Sequence, residues 1–121
     1  MKTAVLASVF LALFTGVNSC SNFNKCQCVN ADGSTNVLAT QQACDQDKKN
    51  HADIGAADGS FFTQVDSDGV TKCFPGESNH VSFLLDNCDF RELCNGFGAA
   101  GDSLCEDKDG DAKRSLRFKK F

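Results

Sequence analysis

The chain has 121 residues, eight cysteines, eleven phenylalanines, neither Trp nor Tyr, and a formal net charge of −4. That length makes one domain, and no window approaches the ~20 consecutive apolar residues that a helix needs to span a bilayer, so no stable membrane span is expected. Between residues 20 and 112 the bases Lys25, Lys48, Lys49, Lys72, Arg91 and Lys108 stand against all 16 acids, which argues against nucleic acid as a partner of that body.

In chain order, Lys2 and the apolar run Ala4 to Phe14, followed by Val17-Asn18-Ser19, read as a secretory signal peptide over residues 1–19. A cut before Cys20 keeps an even number of cysteines, whereas losing Cys20 would leave seven. The mature domain then covers 20–112, and 113–121 form a basic tail.

Phe23 to Val29 is the first strand candidate and carries Cys26 and Cys28 one residue apart. On a strand both sulfurs leave the same face, too close along one chain to bridge each other, so each needs a distant partner. Asn30-Ala31-Asp32-Gly33 reads as a turn. From Thr35 or Asn36 the pattern Val37, Leu38, Gln41, Cys44 predicts a helix of about three turns with these residues facing inward. Lys48 to Gly59 reads as a polar loop. Phe61–Val65 and Val70–Phe74, joined by Asp66-Ser67-Asp68-Gly69 and closed by Pro75-Gly76, form the strongest hairpin signal.

Val81 to Phe97 carries apolar residues at helical spacing, and Asp89 to Glu92 resembles a capping box, so one helix or two meeting near Asn87 are expected. Gly96 is a stop signal. Ser103-Leu104-Cys105 adds a last short strand before the charged run Glu106 to Asp111, read as solvated. The order predicts a small disulfide-stapled α+β fold, a two-layer α/β sandwich with two helices on one face of an antiparallel sheet, of split-βαβ type. Cys26 and Cys28 would then face the helices and pair among Cys44, Cys88 and Cys94, with Cys20, Cys73 and Cys105 completing four bridges.

Other uses of these residues fit less well. Zinc sites favour C-x₂₋₄-C or suitably placed histidine, and His51 and His80 are far from any thiol, so no metal or cofactor is expected. The Asp66–Gly69 and Asp107–Asp111 segments lack the closing glutamate of an EF-hand loop. A ribonuclease-like centre of His51 and His80, assisted by Glu77 or Arg91, is the enzymatic alternative; the chain otherwise reads as no enzyme. Lys113-Arg114 is a dibasic pair whose cleavage would release Ser-Leu-Arg-Phe-Lys-Lys-Phe.

Cys-x-Cys on a first strand, Asp-Gly-Ser, and a helix reaching Ala43-Cys44 on a small exported chain resemble the small cysteine-rich secreted proteins of fungi, including effector candidates. The element order is also similar to the KP6 killer-toxin-like α/β sandwich group, whose precursors mature at dibasic sites. The resemblance covers roughly residues 20 to 105 and carries no functional residue across. It implies an extracellular, monomeric, non-enzymatic protein acting by binding on a host or competitor protein or cell surface. A secreted inhibitor of host hydrolases, presenting Asn50–Ser60 or Phe74–Ser78, is the alternative binding role.

Overall fold

The computed structural model describes residues 20–108; the stretch 1–19 expected to be a signal peptide, the charged run Asp109 to Asp111 and the Lys113-Arg114 pair lie outside the described residues. The elements are β1 (Asn22–Cys28), α1 (Val37–Asn50), a 3₁₀ turn (Ala52–Ile54), β2 (Ser60–Val65), β3 (Thr71–Ser78), β4 (Val81–Ser82), β5 (Leu85–Asp86), α2 (Asn87–Gly96) and β6 (Ser103–Lys108).

Every pairing is antiparallel. Phe23 lies opposite both Leu85 and Lys108, and Cys26 opposite both Cys73 and Cys105. A strand has two edges, so β6 runs along one side of β1 while β3 and β5 share the other. The long strands therefore lie in the order β2-β3-β1-β6. The connection from β1 through α1 to β2 straddles β3, and that from β3 through α2 to β6 straddles β1: two interlocked βαβ units, the α+β arrangement that the element order predicts.

Local chemistry sets the helix starts. Asn36 caps α1, its side-chain oxygen accepting from the Ala39 amide at 2.9 Å, and Lys48 and Lys49 sit in the last turn, where the helix dipole favours positive charge. Thr40 joins α1 to β1, its hydroxyl accepting from the Cys28 amide at 2.9 Å and donating to the Asn36 carbonyl at 2.7 Å. The buried stripe of α1 is Ala39, Thr40, Ala43, Cys44 and Asp47, not the expected one. Val37 and Leu38 fall off that stripe and are 45% and 63% exposed. Cys44 is inward as expected.

Three further expectations are corrected. Pro75-Gly76 does not close the hairpin: β3 bends there and continues to pair β4, with Asn79-His80 as a two-residue turn at φ 50 and 65. Gly76 permits the bend, since a Cβ there would stand 2.3 Å from the Gly59 carbonyl oxygen. Val81 to Asp86 is two short strands rather than helix, with Phe83 and Leu85 buried two residues apart. Helix α2 begins at Asn87, capped by Asp86, whose carboxylate accepts from the Cys88 and Asp89 amides at 2.9 and 3.1 Å. The run after Cys105 starts as strand: Glu106 to Lys108 are exposed yet paired to β1.

All eight cysteines are bonded, as Cys20–Cys88, Cys26–Cys105, Cys28–Cys94 and Cys44–Cys73. Cys28 takes a partner from the helical set, whereas Cys26 does not. It lies directly opposite Cys105 with Cα atoms 4.0 Å apart, so the neighbouring strand reaches it before a helix can. The core is Phe61, Phe83, Phe90 and Leu85 with Ala39, Ala43, Ala56 and Ala99, filled out by Cys26, Cys28, Cys44, Cys73 and Cys94. Sulfur makes up the volume that missing large apolar side chains would supply.

Candidate functional site: the outer face of the sheet

The bridges from Cys73 to Cys44 on α1 and from Cys28 to Cys94 on α2 hold both helices on one face, because Cys26 is in register with Cys73 and two residues from Cys28. Residues alternating with these cysteines point to the other face, over which no described helix lies. There Phe62 pairs Phe74, Gln64 pairs Lys72, Lys25 pairs Glu106 and Gln27 pairs Leu104. Gln27 accepts from the Thr35 hydroxyl at 2.6 Å.

Lys72 is 2% exposed on this face because acids close over it. Its ammonium donates to Asp66 at 3.0 Å, to Asp68 at 2.8 Å and to Glu106, while Lys25 donates to Asp66 at 2.8 Å. Burial disfavours the Lys72 charge, but the bonds to Asp68, Glu106 and Asp66 outweigh it and hold the pKa above the usual lysine range. Asp66 is held well below the usual carboxylate range by Lys25 and Lys72, and Asp68 is lowered chiefly by Lys72. Oxygens of Asp66, Asp68 and Glu106 lie within 4.8 Å of one another, a grouping that could hold a metal ion. Lys72 supplies the cation there, and the cluster reads as a structural knot tying the β2–β3 turn to β6.

Beside it lies an open pocket of about 360 Å³, lined by Asn24, Phe62, Phe74, Pro75, Gly76, Glu77 and Asp107. The Phe62 and Phe74 rings stack across β2 and β3 with centroids 5.7 Å apart. Asn24 donates to the Asp107 carbonyl at 3.1 Å, holding the pocket's rim. The carboxylates of Glu77 and Asp107 have no ion-pair partner among the described residues, in contrast to the acids around Lys72. Half-buried aromatic rings flanked by unpaired acids suit a ligand with cationic and apolar parts.

A second acidic group lies on the helix side. Asp47, one turn before the end of α1, is buried, with its carboxylate 3.3 Å from His51 Nδ1. Burial raises its pKa to about 6, Asp89 and Asp86 of the α2 N-terminus push in the same direction, and His51 opposes them. Asp89 is itself raised, by burial and then by Asp86 and Glu92. The His51 ring stacks on Phe61 at 5.0 Å and meets Phe83 edge-on at 6.1 Å.

The residues of the ribonuclease-like alternative are not gathered. His51 packs on the aromatic core, His80 occupies the β3–β4 turn without a ring contact to His51, Arg91 approaches Asp102 at 3.8 Å, and Glu77 lines the outer pocket. Of the two candidate inhibitory loops, Phe74–Ser78 is strand. Asn50–Ser60 is tied down by Ser78, which donates to the Gly55 carbonyl at 2.7 Å and accepts from the Ala57 amide at 3.1 Å. Sequence reasoning missed Lys72, Asp47 and the Phe62–Phe74 pocket. Four disulfides in so small a domain are compatible with an extracellular protein, and no described helix is long and apolar enough to cross a membrane. Comparison with family models, curated proteins and solved structures finds no match.

Proposed function

We propose that this is a secreted cysteine-rich protein of the effector or toxin-like kind, acting outside the cell as a monomer. It binds a host or competitor protein or cell surface rather than catalysing a reaction. The observation that carries this reading is the pairing of all eight cysteines in bridges that fill a thin core. Such a domain is built to keep its shape in an oxidising, protease-rich medium, and its outer sheet face offers a pocket with unpaired acids for recognition. Hydrolase inhibition and ribonuclease activity gain no specific observation.

The test is infiltration of the oxidised protein into plant tissue and its addition to fungal cultures, beside a reduced and alkylated control. A response to the oxidised form alone is expected. No response in either system overturns the effector and toxin readings together.

A further inference from the structure

We propose that the outer-face pocket is the docking site of the chain's own basic C-terminal tail, and that cleavage after Lys113-Arg114 uncovers it. The pocket needs a ligand with positive charge and apolar surface: Glu77 and Asp107 present unpaired carboxylates beside the stacked rings of Phe62 and Phe74. Residues 113 to 121, Lys-Arg-Ser-Leu-Arg-Phe-Lys-Lys-Phe, carry five basic residues, no acid and two aromatic rings. Phe118 and Phe121 bracket Lys119 and Lys120, so an aromatic ring can meet Phe62 and Phe74 while an ammonium meets Glu77 or Asp107.

Position supports the same occupant. Asp107 lines the pocket and Lys108, its neighbour, is the last residue of β6, so the described chain ends at the pocket's rim, five residues before Lys113. At about 3.3–3.6 Å per residue even Lys113 can reach back to the rings, and Asp109-Gly110-Asp111 has the composition of a turn. A short tether gives the tail an effective concentration on the order of millimolar, enough for a weak contact to fill the pocket.

Hydrolysis of the Arg114–Ser115 peptide bond by a dibasic-specific protease, with water adding hydroxyl to the Arg114 carbonyl and hydrogen to the Ser115 nitrogen, removes that tether. The released heptapeptide then binds only at its own concentration, and the pocket opens to an external ligand. This inference concerns occupancy of the pocket and holds whatever the domain's target, so its test reads occupancy and not biological activity.

The experiment is NMR of the oxidised, isotope-labelled chain from Cys20 to Phe121, before and after cleavage by a dibasic-specific protease. Expected are nuclear Overhauser contacts from the Phe62 or Phe74 ring to Phe118 or Phe121. Shifts confined to the pocket residues should follow cleavage. Raising the salt, or the double change Glu77→Gln with Asp107→Asn, should weaken those contacts; both sites are exposed, and Asn tolerates the Asp107 φ of 62, so the fold persists. Tail signals at random-coil positions, with pocket signals unchanged by cleavage, overturn the proposal. So does an added unrelated basic peptide that shifts the Phe62 and Phe74 signals as strongly before cleavage as after it.

Discussion

Cys26 and Cys73 lie opposite each other on β1 and β3, yet they are not bonded: Cys26 is joined to Cys105 on its other flank, and Cys73 reaches across the layers to Cys44 on α1. Each inter-layer bridge thus ties one helix to one central strand. The cross-strand bridge closes the β1–β6 edge, where the chain segments meet only after 79 residues. Peptide mapping of the oxidised protein should return Cys20–Cys88, Cys26–Cys105, Cys28–Cys94 and Cys44–Cys73. A Cys26–Cys73 linked peptide would contradict the fold.

Replacing Cys44 and Cys73 together by alanine reopens a loop of 29 residues and leaves two small voids between α1 and β3. Loop-closure entropy alone makes this cost about 3.5 kcal/mol. Urea unfolding should show a midpoint lowered accordingly with α2 still bonded to β1, because Cys28–Cys94 is untouched. An unchanged midpoint would mean that α1 is held by packing alone.

Removal of the Lys72 ammonium, as in Lys72→Met, leaves Asp66, Asp68 and Glu106 facing one another. The lysine is buried but two of its acids are about half exposed, so the loss is on the order of 2 kcal/mol at neutral pH, below the range for a fully buried pair. Asp66 and Asp68 have depressed pKa values in the folded state. Their contribution is present above the unfolded carboxylate range and fades as pH falls through the folded values. The gap between wild type and variant should therefore narrow as the medium is acidified below about pH 4. Millimolar calcium should raise the melting temperature of Lys72→Met but not of the wild type, since Asp68 and Glu106 then lose the Lys72 ammonium and Asp66 keeps only Lys25. A gap independent of pH would show that the bonds from Lys72 to Asp66 and Asp68 do not carry its contribution.

The hairpin shows how far the sequence could be read. A four-residue loop over Asp66 to Gly69 would set Phe62 opposite Cys73. Val70 is instead taken into the turn, its carbonyl accepting from the Asp66 amide at 2.8 Å, while Gly69 adopts φ 82. That one residue brings Phe62 opposite Phe74 and builds the pocket, because a slip of one exchanges the two faces of a strand. The Lys72 cluster draws Glu106 from 34 residues away, a separation no local pattern reports. Asp47 carries a local signal: it stands three residues after Cys44 and four after Ala43, the helical spacing of an inward position. Val81 to Leu85 misled for another reason. Phe83-Leu84-Leu85 is too short an apolar run for periodicity to separate strand from helix, and Asp86, the true cap, precedes the motif that resembles one.

Gly76→Ala should be among the most damaging single changes on the sheet. At φ 54 an added Cβ would lie 2.3 Å from the Gly59 carbonyl oxygen and 2.8 Å from the Phe62 ring, so the backbone of the 3₁₀–β2 connection must move. Strain and displaced packing together should cost on the order of 3 kcal/mol. Gly33→Ala, at φ 90 with open space around it, should cost about 1 kcal/mol, and the comparison separates steric contact from backbone conformation.

Asp47→Asn should stabilise the protein at neutral pH. The carboxyl is buried on α1, feels the charges of Asp86 and Asp89 at the start of α2, and has His51 as its one ion-pair partner among the described residues. Its folded pKa of about 6 exceeds the unfolded value, so the folded state holds the proton more tightly. This favours folding fully below about pH 4, and the advantage is lost as pH rises to about 6. An asparagine amide carries no charge to desolvate and is not repelled by Asp86 and Asp89. The variant should therefore gain on the order of 2 kcal/mol at pH 7 and match the wild type near pH 4. With the Lys72 cluster weakening in acid and Asp47 ionising at its cost towards neutrality, the wild-type chain should be most stable between about pH 4 and 6. Urea titrations of both proteins from pH 4 to pH 7 test this: a wild-type stability that keeps rising from pH 5 to pH 7, with no gain in Asp47→Asn, would show that burial does not hold the Asp47 proton.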